Sequence, residues 1–237
     1  MLGLLIQLII SYLIIRWVQK ENLSVFGLKP SRSNMTDLLL YTIIAGCCSS
    51  ITFFLRMSFA NESWILNPSL NWRLILNGTW YNINSVLYEE LIFRGVLFYI
   101  LIKKLGGTKA ILISATAFGI YHWFTYEVFN DPVKMVWIFL ITFSAGYIYA
   151  LGYYKTKSLY APIGMHFGWN YVQGFIFSAS NTGAGVFIEK LPAPQVQVSY
   201  FVYYSITFLH LLLFILVFAI IFHKKNRAII ENSMPNN

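Results

Sequence analysis

Seven apolar runs, each long enough for a helix to cross a hydrocarbon layer, follow one another along this chain with only short polar breaks. They lie at about 3–19, 37–57, 79–102, 108–127, 133–153, 158–179 and 198–222. A bilayer core of about 30 Å needs roughly 20 residues of helix, and a helix leaves no backbone group unpaired in lipid. The pattern predicts an all-α, polytopic membrane helix bundle of about seven spans. An eighth piece would arise if the Trp-rich stretch from Ser58 to Trp80, with Trp64 and Trp72, holds a short re-entrant segment. Of the 237 residues 57% are hydrophobic and 11% charged, against roughly 25% charged in a soluble domain, so a soluble fold is excluded. The polar breaks are too short to hold a separate unit, which makes residues 1–237 a single integral membrane domain. The first run has no basic stretch before it and no small-residue cleavage site, and is expected to be a retained span.

Seventeen Lys and Arg against nine Asp and Glu give a net charge of +8. With the first loop in the cytoplasm, 12 of the 17 fall on that side: Arg16, Lys20, Lys29, Arg32, Lys103, Lys104, Lys109, Lys155, Lys157, Lys224, Lys225 and Arg227. Arg56, Arg73, Lys134 and Lys190 fall on the other. The asymmetry predicts the N-terminus outside and the C-terminus inside. The short loops point to a bacterial plasma membrane. A basic tail without interleaved aromatics does not make a nucleic-acid binder, so the expected partner is membrane lipid. The adjacent Cys47 and Cys48 diverge by about 100° on a helix and are read as packing residues.

Ionisable side chains inside a span are expensive and therefore mark candidate sites. The third run reads Tyr88-Glu89-Glu90-Leu91-Ile92-Phe93-Arg94-Gly95. Glu90 and Arg94 are four apart on one helix face and can pair, whereas Glu89 points elsewhere. Glu90 and Arg94 are thus expected to be structural, with Glu89 left free toward a cavity where a base can operate. The alternative is a charge cluster that only holds helices together. It leaves one buried carboxylate uncompensated, which costs several kcal/mol. The fourth run places Phe118 and His122 on one face, and the sixth places His166 and Asn170 on one face. Gly95, Gly119, Gly164 and Gly168 flank these residues and allow close helix approach. His210 and His223 are read as having no part in the site. Ser49, Ser50 and Thr52 are expected to bond back to their own helix, and Tyr147, Tyr149, Tyr153 and Tyr154 to form an interfacial belt.

Glu89-Glu90-x-x-x-Arg94, Phe118-x-x-x-His122 and His166-x-x-x-Asn170, in that order on separate apolar helices, resemble the CAAX protease and bacteriocin-processing (CPBP, or Abi) family of intramembrane proteases. They are similar in motif to the type II CAAX prenyl endopeptidases. The resemblance covers about 79–175. It implies hydrolysis of a peptide bond in a membrane-associated or lipidated peptide. In that scheme Glu89 and His122 activate water, and His166 and Asn170 stabilise the oxyanion. Glu90, Arg94 and Phe118 support the site. A cofactor-free mechanism is expected. Zinc held by Glu89 or Glu90 with His122 and His166 is the variant, but the i, i+4 histidine pair of a zinc helix is absent. A non-catalytic binder or scaffold, or a bacteriocin self-immunity protein, is the alternative function. A proton-coupled transporter is disfavoured by the lack of an inverted repeat.

Overall fold

The computed structural model describes residues 2–178, 185–190 and 198–233, with side chains up to Lys224 in the last segment. Helices dominate: α1 (Leu2–Gln19), α2 (Arg32–Phe59), α3 (Trp72–Arg94), α4 (Val96–Leu105), α5 (Gly107–Thr125), α6 (Pro132–Thr156), α7 (Tyr160–Tyr171) and α8 (Tyr200–Ser233). Their starts are written in the sequence. Ser31, Asn71 and Asp131 each accept a hydrogen bond from the amide three residues on, and Pro132 occupies the first turn of α6. α6 ends where Lys157 turns left-handed.

Among the described residues α1, α2, α6 and α8 are long and apolar enough to cross a membrane, so the chain is an integral membrane protein. They coincide with the first, second, fifth and seventh expected spans. The third is not one continuous helix. It begins earlier, at Trp72, and breaks at Gly95 into α3 and α4, where a Cβ would sit 2.1 Å from the Leu91 carbonyl oxygen. The sixth is shorter than expected. α7 stops at Tyr171 and a wide helical turn, Val172–Ile176, leads into a strand.

Within the segment from Ser58 to Trp80, the stretch between the end of α2 at Phe59 and the start of α3 at Trp72 forms no helix. It contains β1 (Trp64–Leu66), which pairs antiparallel with β3 (Phe187–Glu189), while β2 (Phe177–Ser178) lies parallel on the other side of β3. Strands this short carry too little alternation to be seen in sequence. Aromatic contacts fix the sheet to the bundle, with Phe53 of α2 stacked on Phe177 at 4.3 Å and edge-on to Trp64 at 5.3 Å.

The loops gather at two ends. At one, the Lys103 ammonium lies 3.8 Å from the Glu21 carboxylate, Ser158 donates to the Gly27 carbonyl, and Gly107 abuts Tyr154. At the other are the small sheet and the α5–α6 turn. Two clusters of buried side chains fill the bundle: Tyr41, Met165, Phe214, Phe218 and Phe222 in one, Ile15, Phe26, Phe98 and Tyr153 in the other.

The contact between α2 and α7 sets the site, because α7 carries His166 and Asn170. Here backbone meets backbone. A Cβ on Gly164 would lie 2.6 Å from the Leu38 carbonyl oxygen, and one on Gly168 would lie 2.1 Å from that of Thr42. Neither obstacle is a flexible side chain, so Gly168→Ala must push the helices apart. It is expected to destabilise by about 1–3 kcal/mol and to depress activity by displacing the two flanking side chains. The thermal midpoint of the purified protein in detergent, compared with wild type, checks this, and an unchanged midpoint overturns it.

Candidate active site

Glu90 and Arg94 form the expected pair, fully buried, with Arg94 Nη1 2.9 Å from Glu90 Oε1. The guanidinium also donates through Nη2 to the Gly146 carbonyl at 2.9 Å and lies over the Phe118 ring at 4.5 Å. Buried charge of this kind is tolerable only when paired and hydrogen-bonded. The same Glu90 oxygen receives His166 Nδ1 at 2.7 Å. One carboxylate therefore ties α3 to α7, while its arginine ties α3 to α6.

A carboxylate only accepts, so His166 carries its proton on Nδ1 toward Glu90. Its Nε2 faces the other way, 3.0 Å from the Asn170 amide nitrogen. His122 Nδ1 lies 2.7 Å from the Phe118 carbonyl, which likewise only accepts. In the neutral ring this leaves His122 Nε2 as an acceptor, and it points at Glu89. Phe118 sits among these groups, 2% exposed, edge-on to His122 at 4.4 Å and to His166 at 5.7 Å.

Glu89, on the adjoining face of α3, is 8% exposed. Ser85, one turn back, donates to its Oε1 at 3.3 Å. Its Oε2 has no hydrogen-bond partner among the described residues, yet lies 4.0 Å from His122 Nε2 and 3.8 Å from His166 Nε2. These separations are too long for direct hydrogen bonds and suit a single bridging oxygen. The expected spans 79–102, 108–127 and 158–179 place Glu89 near mid-span, His122 toward the outer end and His166 toward the inner end. In the fold they converge, because α5 ends just past His122 and α7 is short. Glu89 also borders a side cavity of about 270 Å³, with Tyr81, Asn84 and Tyr121 in its wall. On the other side, Asn170 and Tyr126 line a larger cavity of about 630 Å³.

The zinc variant would draw on Glu89 Oε2 with His122 Nε2 and His166 Nε2, which lie 4.0 and 3.8 Å from that oxygen. A zinc ion needs its nitrogen and oxygen ligands at about 2.0–2.2 Å. Both nitrogens of His166 are already engaged, by Glu90 and Asn170. Among the described residues no group of three or more His, Cys, Asp or Glu side chains is arranged to hold a metal ion.

Several neighbours were not foreseen. Tyr149 is no belt residue; it is buried and stacked on His166 at 4.8 Å, and Tyr153 is buried as well. Tyr149 lies one turn beyond Ala145 and Gly146 on α6, and this small-residue face was the signal for a buried helix contact. Ser85 was visible as a polar residue four before Glu89. The Gly146 carbonyl, as a backbone group, leaves no mark in sequence. Ser50 bonds back to Gly46 as expected, whereas Ser49 instead reaches the Trp169 carbonyl on α7 at 3.2 Å. His210 is buried, stacked on Trp169 at 5.1 Å, and lines the larger cavity.

Comparison with known proteins returns one family, described as Type II CAAX prenyl endopeptidase Rce1-like, over residues 71–172. No curated protein and no solved structure gives a significant match. The matched stretch contains Glu89, Glu90, Arg94, Phe118, His122, His166 and Asn170. Residues 71–172 are thus similar to the CAAX-type proteases, the family that the three motifs resemble.

Proposed function

We propose that this chain is an intramembrane endopeptidase of the CPBP type that hydrolyses a peptide bond of a membrane-associated or lipidated peptide. The observation that supports this best is the geometry of Glu89: a buried carboxylate oxygen with no hydrogen-bond partner among the described residues, facing two imidazole nitrogens across gaps of 4.0 and 3.8 Å. A water in that gap gives one proton to Glu89 Oε2 and the other to His122 Nε2 as hydrogen bonds, leaving an oxygen lone pair for the substrate carbonyl. As the O–C bond forms, a water proton passes to Glu89. The carbonyl oxygen becomes an oxyanion, which the second N–H of Asn170 stabilises. His166, braced by Glu90, accepts from the Asn170 amide and fixes its orientation. The tetrahedral intermediate then breaks its C–N bond, and the proton held by Glu89 leaves with the amine.

In this proposal seven segments cross a bacterial plasma membrane, with α3 and α4 together making one broken span. The N-terminus is outside and the C-terminus inside. Every step uses side chains of the chain itself. Cleavage should therefore survive exhaustive chelation and dialysis and gain nothing from added zinc; loss on chelation that zinc restores would reject the metal-free scheme. The substrate is found by comparing peptides released from cells that carry the wild-type protein or Glu89→Gln. A peptide present only with the wild type supports the peptidase, and identical profiles sink it.

A further inference from the structure

The larger cavity beside Asn170 is walled in part by residues at one end of the bundle, and that end is electrically unlike the other. Its wall includes Arg56, Glu62, Glu189, Thr207 and Gln173, from α2 and the loop after it, the small sheet, the turn after α7 and the first third of α8. Arg56 and Glu62 pair at 2.8 Å at its rim. The loops on this side carry Arg56, Arg73, Lys134 and Lys190 against Glu62, Glu127, Asp131 and Glu189, so the charges balance. At the opposite end the fold brings together Arg16, Lys20, Lys29, Lys103, Lys104, Lys155 and Lys157 with Glu21, a strong basic excess. Loops rich in Lys and Arg are retained in the cytoplasm, and the end with seven such residues named here outweighs the end with four.

His122 and Asn170 lie toward the balanced end, where Asn170 shares the cavity wall with Arg56, Glu62 and Glu189. His122 is three residues from the end of α5 and Asn170 one from the end of α7, whereas on α4, Lys103 and Lys104 lie nine and ten residues past Arg94 toward the basic end. Even with the break at Gly95, α4 adds up to about 14 Å between Arg94 and the basic loops. The cavity wall is mixed, with Thr207, Gln173 and Asn170 beside Ile141, Trp169 and Ile206, as suits a peptide with both polar backbone and apolar side chains.

We infer that the catalytic chamber opens to the extracytoplasmic side of the membrane, so that the peptide it takes is an exported or outward-facing one. This rests on the proposed peptidase and names the side from which its substrate comes. Bond cleavage is not needed to test it. In full-length protein with Cys47→Ala and Cys48→Ala, single thiols are placed at the rim (Ser63→Cys), in the cavity wall (Thr207→Cys) and at the basic end (Lys104→Cys). Intact cells are exposed to a charged, membrane-impermeant methanethiosulfonate, and total thiol is read after denaturation. The expected result is labelling of Ser63→Cys and Thr207→Cys in intact cells, and of Lys104→Cys only after permeabilisation. Labelling of Lys104→Cys alone in intact cells places the chamber mouth in the cytoplasm and overturns the inference. So does a Thr207→Cys thiol that reacts only after permeabilisation or only on denaturation. A wild-type and Glu89→Gln comparison with identical peptide profiles would remove the peptidase while leaving these labelling results standing.

Discussion

Glu89→Gln should abolish peptide hydrolysis while leaving the protein folded. Glutamine keeps the shape of the side chain and its carbonyl oxygen can still accept from Ser85. It cannot take a proton from water at neutral pH. General-base action by a positioned carboxylate is worth about 10²–10⁴-fold, and here the same group also returns the proton to the leaving amine, so the expected loss is at least on the order of 10³-fold. Stability should change little. The unpartnered Oε2 faces acceptor nitrogens across nearly 4 Å, and an amide placed there gains about as much hydrogen bonding as it loses. The two quantities to measure are the cleavage rate on a substrate found by peptide profiling and the thermal midpoint in detergent. Cleavage within a few-fold of wild type would favour a scaffold, in which only shape matters. A parallel collapse of the midpoint would mean that Glu89 is part of the structure rather than its chemistry.

The sequence carried the site further than it carried the architecture, and the reason is local. Glu90 with Arg94, and His166 with Asn170, are i, i+4 pairs whose shared face follows from helix geometry alone, and they do meet at 2.9 and 3.0 Å. That Glu89 stands apart from the ion pair follows from the same 100° step. Nothing local, however, says that Glu90 Oε1 is shared by Arg94 and His166, which are 72 residues apart in the chain. Nor does apolarity reveal helix ends: the run at 79–102 is uniformly greasy past Arg94, yet the helix breaks at Gly95 into α3 and α4, where the backbone leaves no room for a Cβ. The three short strands and the burial of Tyr149 depend wholly on distant partners. Charge asymmetry behaved differently. It needs no boundary more accurate than a loop, and the fold gathers the basic loops at one end.

Arg94→Met and Glu90→Leu should each destabilise the protein severely, and the double variant should be far less destabilised than the two together imply. Each single change leaves one charge without its partner in a place with no solvent exposure, which costs about 3–5 kcal/mol. Replacing both removes the problem along with the pair, and a well-packed apolar substitute can approach the stability of the original. Arg94 has further contacts, to the Gly146 carbonyl and the Phe118 ring, so the recovery should stop short of wild type by about 1–2 kcal/mol. Activity should not follow stability. In the double variant His166 Nδ1 has lost its acceptor, the ring is free to turn, and Asn170 loses the nitrogen that orients its amide. A misplacement of about 1 Å at reacting groups costs on the order of 10²-fold, and a loss of that size is expected even where the double variant is folded. Thermal midpoints of the four proteins give the coupling, and their cleavage rates give the rest. Additive destabilisation would show that Glu90 and Arg94 act separately. Full activity in a folded double variant would show that Glu90 has no part in holding His166.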